Sequence, residues 1–249
     1  MRRFIQLAYN GGGFSGWQVQ PGQPTVQGAI EAALSTLLRR DIPIVGAGRT
    51  DTGVNARMMM AHFDVLPHED VQSHRFIHSL NSILGPSIAI YRIIEVAEDA
   101  HARFDATERT YRYFAHTQKD PFIGPLSWLT KPDMDFEAMN EAASLIIGRR
   151  DFTSFSKLHT DVKTNICDLR TARWEEFEPG RWFFEISADR FLRNMVRAVV
   201  GTLVEVGRHK IAPSDILDIL ERKDRCAAGT SMPARPLFLW NVRYDYIPD

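Results

Sequence analysis

One carboxylate and one guanidinium stand two residues apart in the segment Gly46-Ala47-Gly48-Arg49-Thr50-Asp51-Thr52-Gly53-Val54-Asn55-Ala56. Three glycines loosen the backbone of this short loop, and apolar, strand-like runs flank it on both sides. Such a loop can hold a single aspartate rigidly with a cation beside it. A carboxylate so placed stays ionised and can serve as a nucleophile or a base. The plain alternative is a β-hairpin turn whose Asp caps local amides. A P-loop is excluded, because no Gly-Lys-[Ser/Thr] follows. Asp51-Thr52-Gly53 also matches the tripeptide of aspartic proteases, but those enzymes need two carboxylates sharing one proton. The chain has no second Asp-[Thr/Ser]-Gly, and Arg49 favours full ionisation, the wrong state for such a dyad.

Two further groups could act with that carboxylate. Residues 190–206 read as one helix whose apolar residues cover most of its circumference, so it should be largely buried. Arg190, Arg193 and Arg197 fall at i, i+3 and i+7 on it, with Asn194 beside them. Unpaired charge is costly to bury, so this stripe must meet acids or line a cleft that takes anions. The third group is Arg109-Thr110-Tyr111-Arg112-Tyr113. Strand alternation sends Arg109, Tyr111 and Tyr113 to one face, and Arg side chains interleaved with aromatics on a sheet make a base-stacking surface. Taken singly, the tyrosines read as core.

The elements that must position these groups are legible in outline. Residues 3–9 alternate as a strand, and Asn10-Gly11-Gly12-Gly13 breaks it. Val26, Ala29, Ile30, Ala33, Leu34, Leu37 and Leu38 keep helical period over 26–39, with Thr25 as N-cap. Ile42–Val45 reads as a short strand into the glycine loop. Met59, Ala61, Phe63 and Val65 alternate with polar positions in the strand after it. A helix over 73–83 and a strand over Ser87–Val96 follow. Beyond a polar, unpatterned stretch come a strand around Thr110–Ala115 and a loop-rich stretch. Phe136–Ile147 is a helix capped by Gly148. A strand pair spans 166–176 and 181–188. The long 190–206 helix, a helix beginning at Ser214 and a closing strand over Leu237–Tyr246 complete the chain. Strands in both halves with helices between them are α+β rather than regular βαβ. The two halves share a loosely similar strand–helix–strand order.

Bulk composition sets the class. The 249 residues are 44% hydrophobic and 24% charged, ordinary for a soluble globular chain. That length fits one large domain or two of about 100–150 residues. No run approaches the roughly 18 apolar residues of a membrane helix, and the first residues are expected to carry no secretory signal. Net charge is −1, but 24 of the 30 cationic residues are Arg. Arginine offers a fork for phosphate and a flat face for bases, so one basic face could bind RNA on a neutral protein. Cys167 and Cys226 have no metal-ligand or redox spacing and suit a reducing cytoplasm.

Together these motifs resemble the TruA family of tRNA pseudouridine synthases over nearly the whole chain. Gly48-Arg49-Thr50-Asp51-Thr52-Gly53-Val54 looks like that family's Gly-Arg-Thr-Asp-x-Gly-Val motif. Its catalytic aspartate falls on Asp51, and its nucleotide-flipping arginine falls on Arg49. Arg109-Thr110-Tyr111-Arg112-Tyr113 resembles its Arg-x-Tyr-x-Tyr strand, the base-stacking tyrosine falling on Tyr111. Phe191-Leu192-Arg193-Asn194-Met195-Val196-Arg197 resembles its Phe-x-x-x-Met-Val-Arg helix, the arginine that pairs with the aspartate falling on Arg197. Tyr9-Asn10-Gly11 with Phe14-Ser15-Gly16-Trp17-Gln18, Leu80-Asn81 and Asp151-Phe152-Thr153-Ser154-Phe155 also correspond. One departure is Asn55, where many members carry His.

The resemblance implies isomerisation of uridine to pseudouridine in the tRNA anticodon arm, around positions 38 to 40, with no cofactor and no metal. It implies a pseudouridine synthase fold: two similar α+β lobes, 1–105 and 106–249, with joined antiparallel or mixed sheets flanked by helices and the active-site cleft between them. It implies a homodimer with one tRNA spanning both copies, in the cytoplasm, with no membrane partner. Arg49, Tyr111 and Arg197 are then expected to bind substrate, and Arg190 and Arg193 to contact RNA. The rival from another class is an RNA-binding module without turnover, in which the arginines merely grip phosphate.

Overall fold

The computed structural model describes residues 1–157 and 164–248. The chain divides into two compact units, Met1–Thr107 with Phe238–Asp249, and Glu108–Leu237. Ten strands and five α-helices are formed among the described residues, a mixed α+β architecture.

The first unit begins with β1 (Arg2–Tyr9), α1 (Val26–Leu38), β2 (Val45–Gly46), β3 (Asn55–Asp64), α2 (His74–Leu84) and β4 (Ile88–Glu95). Strand β1 runs antiparallel to both β3 and β4, and β2 pairs antiparallel with β3 through Val45↔His62 and Gly46↔Ala61. Helix α1 starts where Thr25 Oγ1 accepts from the Gly28 N–H at 3.3 Å, and it buries Val26, Ile30, Ala33 and Leu34 along one face. Helix α2 is capped by Ser73 in the same way. Its Asn81 side chain both accepts from and donates to the backbone of Ile90, tying α2 to β4.

The second unit holds β5 (Glu108–His116), β6 (Trp128–Leu129), α3 (Phe136–Leu145), β7 (Gly148–Asp151), β8 (Ile166–Glu178), β9 (Arg181–Ala188), α4 (Met195–Gly207) and α5 (Asp215–Arg222). Its strands lie in the order β5-β9-β8-β7, all antiparallel, with β6 parallel to β5. Helix α3 packs on β8 and α4. The Asp151–Phe155 motif is structural: Phe152 and Phe155 are fully buried, and Ser154 Oγ donates to the Ile219 carbonyl of α5 at 2.6 Å. The closing strand, read from the sequence with the second half, is β10 (Leu237–Arg243). From Phe238 onward it clusters with the first unit, where Phe238↔Asn55 and Leu239↔Ala56 pair it parallel to β3.

Three sequence expectations are corrected. The strand expected over 42–45 shrinks to β2, which starts only at Val45. Pro43 has no N–H, and the amides of Ile42 and Ile44 are taken by Ser35 Oγ and Glu31 Oε1 of α1 at 3.0 Å each. Strand β3 does not alternate over Met59–Phe63, because both of its faces are covered there, so Met60 and His62 are buried along with Met59 and Phe63. The helix expected from 190 starts only at Met195. Asn194 sits in the left-handed region at φ 67°, where the helix cannot extend backward. Arg190 and Arg193 therefore lie in the loop before α4, and the three-arginine stripe is not a helix face.

Candidate active site

The Asp51 loop is the connection between β2 and β3. Past the last strand pair, the Ala47 N–H still reaches the Met60 carbonyl at 2.7 Å. At the far end the Val54 N–H closes a turn on the Asp51 carbonyl at 3.1 Å. Gly53, the third residue of that turn, has φ 79°, a conformation that glycine adopts without steric cost. The loop is thus a hairpin connection, as the plain alternative had it, but a broad one with Asp51 half-buried and Arg49 exposed.

The first loop of the chain holds it in place. The Trp17 N–H donates to the Thr50 carbonyl at 3.2 Å. The Tyr9 hydroxyl and Thr50 Oγ1 are hydrogen-bonded at 2.8 Å in a buried site. The Gly11 N–H donates to Asn55 Oδ1 at 2.9 Å. Gly16 permits the approach, since a Cβ there would stand 2.6 Å from the Thr50 carbonyl oxygen. Thr50, directly before Asp51, and Asn55, four residues after it, are both buried.

In the second unit, Tyr111 lies half-buried on β5, opposite Ile186 of β9. Its ring meets Phe191 edge to face, with centroids 5.1 Å apart and planes at 84°. Arg109, two residues back on the same strand face, donates to the Asp189 carbonyl at 2.8 Å. Tyr113 is fully buried, and its hydroxyl has no hydrogen-bond partner among the described residues. Burial pushes that phenol up, against the opposing charge of Arg197. The expectation of one shared face is met along the strand, but it carries Tyr113 into the core and leaves Tyr111 at its edge.

Arg197 is the cation that α4 does carry. Its Nε donates to the Met232 carbonyl at 2.6 Å, and the Met232 N–H returns a bond to the Arg197 carbonyl at 3.1 Å. The 229–232 strap that supplies Met232 crosses α4 at close range. A Cβ on Gly201 would stand 1.9 Å from the Thr230 carbonyl oxygen. Thr202 Oγ1 accepts from the Gly229 N–H at 2.9 Å, and Asn194 Nδ2 donates to Ser231 Oγ at 2.6 Å. Arg190 is half-buried and Arg193 exposed in the loop before the helix. That loop is fixed by Asp189 Oδ1, which accepts from the Asp168 and Arg190 amides at 2.8 Å each.

Sequence reasoning missed the Tyr9–Thr50 pair and the Met232 strap. A Tyr at a strand end and a Thr between Arg and Asp carry no pattern of their own. Gly201, a lone glycine inside a helix, marks the crossing together with Gly229. A cavity of about 420 Å³ lies in the second unit, lined by His116, Asp120, Phe122 and Arg181 among others, and contains none of these residues. The two cysteines are both free, Cys167 buried and Cys226 exposed; burial pushes the Cys167 thiol up to about 12.

A family model described as tRNA pseudouridine synthase matches residues 142–245. The tRNA pseudouridine synthase A of Parabacteroides distasonis is 54% identical over 246 residues, which cover 98% of this chain and 96% of that protein. The same-named protein of Bacteroides thetaiotaomicron is 53% identical over 98% of this chain and 90% of its own length. That of Bacillus subtilis is 40% identical over 98% of this chain and 100% of its own. At these identities over nearly whole lengths, the chain belongs to the tRNA pseudouridine synthase A family.

Proposed function

We propose that this chain isomerises uridine to pseudouridine in the anticodon arm of tRNA, around positions 38 to 40, with Asp51 as the catalytic nucleophile or base. Membership of the family supports an RNA-modifying isomerase. The observation that carries the residue assignment is the placement of Asp51: a half-buried carboxylate on a turn whose neighbours on both sides are pinned from the first loop.

The chemistry explains why one carboxylate suffices. The N1–C1′ bond breaks, the uracil turns, and C5 joins C1′; the hydrogen on C5 leaves to solvent and N1 gains one. No electrons are exchanged with a co-reactant. The sugar cation or the electron-poor uracil C6 must meet an anion, and a deprotonated Asp can attack either or take the C5 proton. Arg197 is the counter-ion assigned to that carboxylate. Tyr111 stacks on the extruded uracil, and Arg49, exposed beside Asp51, fills the place the base leaves. These contacts offset part of the few kcal/mol of unstacking. Arg190 and Arg193 contact the RNA backbone. The reading requires that the two lobes close a cleft in which Asp51 and Arg197 face one nucleotide, and that a homodimer in the cytoplasm shares one tRNA.

The alternative, an RNA-binding module without turnover, gains nothing from a carboxylate facing RNA. Incubating the protein with tRNA carrying tritium at uridine C5 separates the two. Release of tritium to solvent supports the isomerase, and retention of the RNA with no release supports the module.

A further inference from the structure

We infer that Tyr9 is a positioning residue for Asp51: its hydroxyl, through Thr50, fixes the orientation of the carboxylate next to it in the chain. The inference rests on the assignment of Asp51 above. Tyr9 ends β1 and is 4% exposed, and Thr50 is 8% exposed, so their 2.8 Å contact is made away from solvent. A buried hydroxyl pair of this kind has no water to replace it when one member is lost. Thr50 is also held at its backbone, where its carbonyl accepts from the Trp17 N–H. Side chain and main chain of Thr50 are thereby fixed from two different residues of one segment. The ring of Tyr9 is itself set against Trp17, with centroids 6.1 Å apart.

Beyond Asp51 the second anchor is Asn55, 1% exposed, whose Oδ1 accepts from Gly11 two residues past Tyr9. The four residues from Asp51 to Val54 span one closed turn between these anchors. The Tyr9 hydroxyl thus holds the side chain of the residue directly before Asp51, while the Trp17 N–H holds that residue's carbonyl. Catalytic groups lose rate when displaced by small distances even though binding is untouched, so the loss should fall on turnover.

The test is a set of steady-state and single-turnover measurements on intact tRNA with Tyr9→Phe, Thr50→Val, Thr50→Ser and the Tyr9→Phe/Thr50→Val double variant. Each is first shown by thermal melting to be folded at the assay temperature. Tyr9→Phe and Thr50→Val should each lower kcat by about tenfold or more, with KM for tRNA within about twofold. Thr50→Ser keeps the hydroxyl and should restore most of the rate. The double variant should be no worse than the poorer single, as one shared interaction demands. A Tyr9→Phe enzyme with wild-type kcat, or additive losses in the double variant, overturns the inference. Asp51→Asn measured alongside separates the two readings: if it still turns over, the assignment of Asp51 fails; if it is inactive while Tyr9→Phe is unimpaired, only the positioning role fails.

Discussion

Arg197 and Met232 are joined twice, by Arg197 Nε donating to the Met232 carbonyl and by the Met232 N–H donating to the Arg197 carbonyl. This double link fixes the root of the guanidinium while leaving its terminal nitrogens for other partners. A lysine has no Nε–H at that position in its chain and cannot make the same bond. The strap therefore selects arginine on geometry as well as charge.

Arg197→Ala is expected to lower kcat on the order of a hundredfold, the scale seen when a preorganised charge partner is removed from a reacting group. Affinity for tRNA should change little. Arg197→Lys should recover only a small part of the rate. Single-turnover rates and filter binding on the same tRNA check both; a loss confined to affinity would refute the role.

Tyr111 presents its ring beside Phe191. Stacking of one base on an aromatic is worth about 1–3 kcal/mol, so Tyr111→Ala should cut turnover by about 5- to 150-fold while tRNA still binds. Tyr111→Phe keeps the platform and should stay within a few-fold of wild type. Wild-type rates in Tyr111→Ala would dismiss stacking at this residue.

Gly201→Ala tests the crossing of α4 by the 229–232 strap. The added methyl would meet the Thr230 carbonyl at 1.9 Å, so the strap must move away. Overpacking of this kind costs about 1–3 kcal/mol, read as a lower midpoint in urea unfolding. The same displacement withdraws the Met232 carbonyl from Arg197, so kcat should fall with stability. An unchanged midpoint would show that the strap yields freely.

Much of this was legible in the sequence, for physical reasons that differ by residue. Periodicity placed α1 and its Thr25 cap, because α1 buries one face against a core; α2 and the β8–β9 pair also stand where they were expected. The motif around Asp51 identified its loop, since Arg, Asp and Gly at fixed offsets leave few other uses. The arginine stripe was misread because apolar residues continue backward from Met195 through Leu192 and Phe191. Periodicity cannot see that Asn194 turns left-handed there, nor that Asp189 has already fixed the preceding loop. The strand expected at 42–45 begins only at Val45, because side chains of α1 took the amides of Ile42 and Ile44. Strand β3 lost its alternation because both of its faces are covered over Met59–Phe63, a tertiary event that no local pattern records.

His62 on β3 gives a prediction about pH. Burial lowers its pKa to about 4, helped by the charges of Arg2 and His101 and opposed by Asp64 and Asp105. Its Nδ1 accepts from the Ala102 N–H at 3.1 Å, which requires an unprotonated nitrogen there. The unfolded chain binds a proton at this residue below its ordinary value of about 6.5, while the folded chain resists until about 4. In that window the unfolded state holds more protons, so stability falls as pH drops. Denaturant unfolding at pH 7 and pH 4.5 should show a smaller difference for His62→Gln than for wild type. An equal difference would exclude His62 as its source.

The central claim is that the carboxylate of Asp51 is indispensable to turnover and dispensable to binding. The direct measurement is tritium release from tRNA labelled at uridine C5, with excess wild-type or Asp51→Asn protein over tRNA in a single turnover. Stoichiometric release by wild type, none above background by Asp51→Asn, and tRNA affinity within a few-fold for both is the predicted result. Release by Asp51→Asn at a rate within tenfold of wild type would contradict the account.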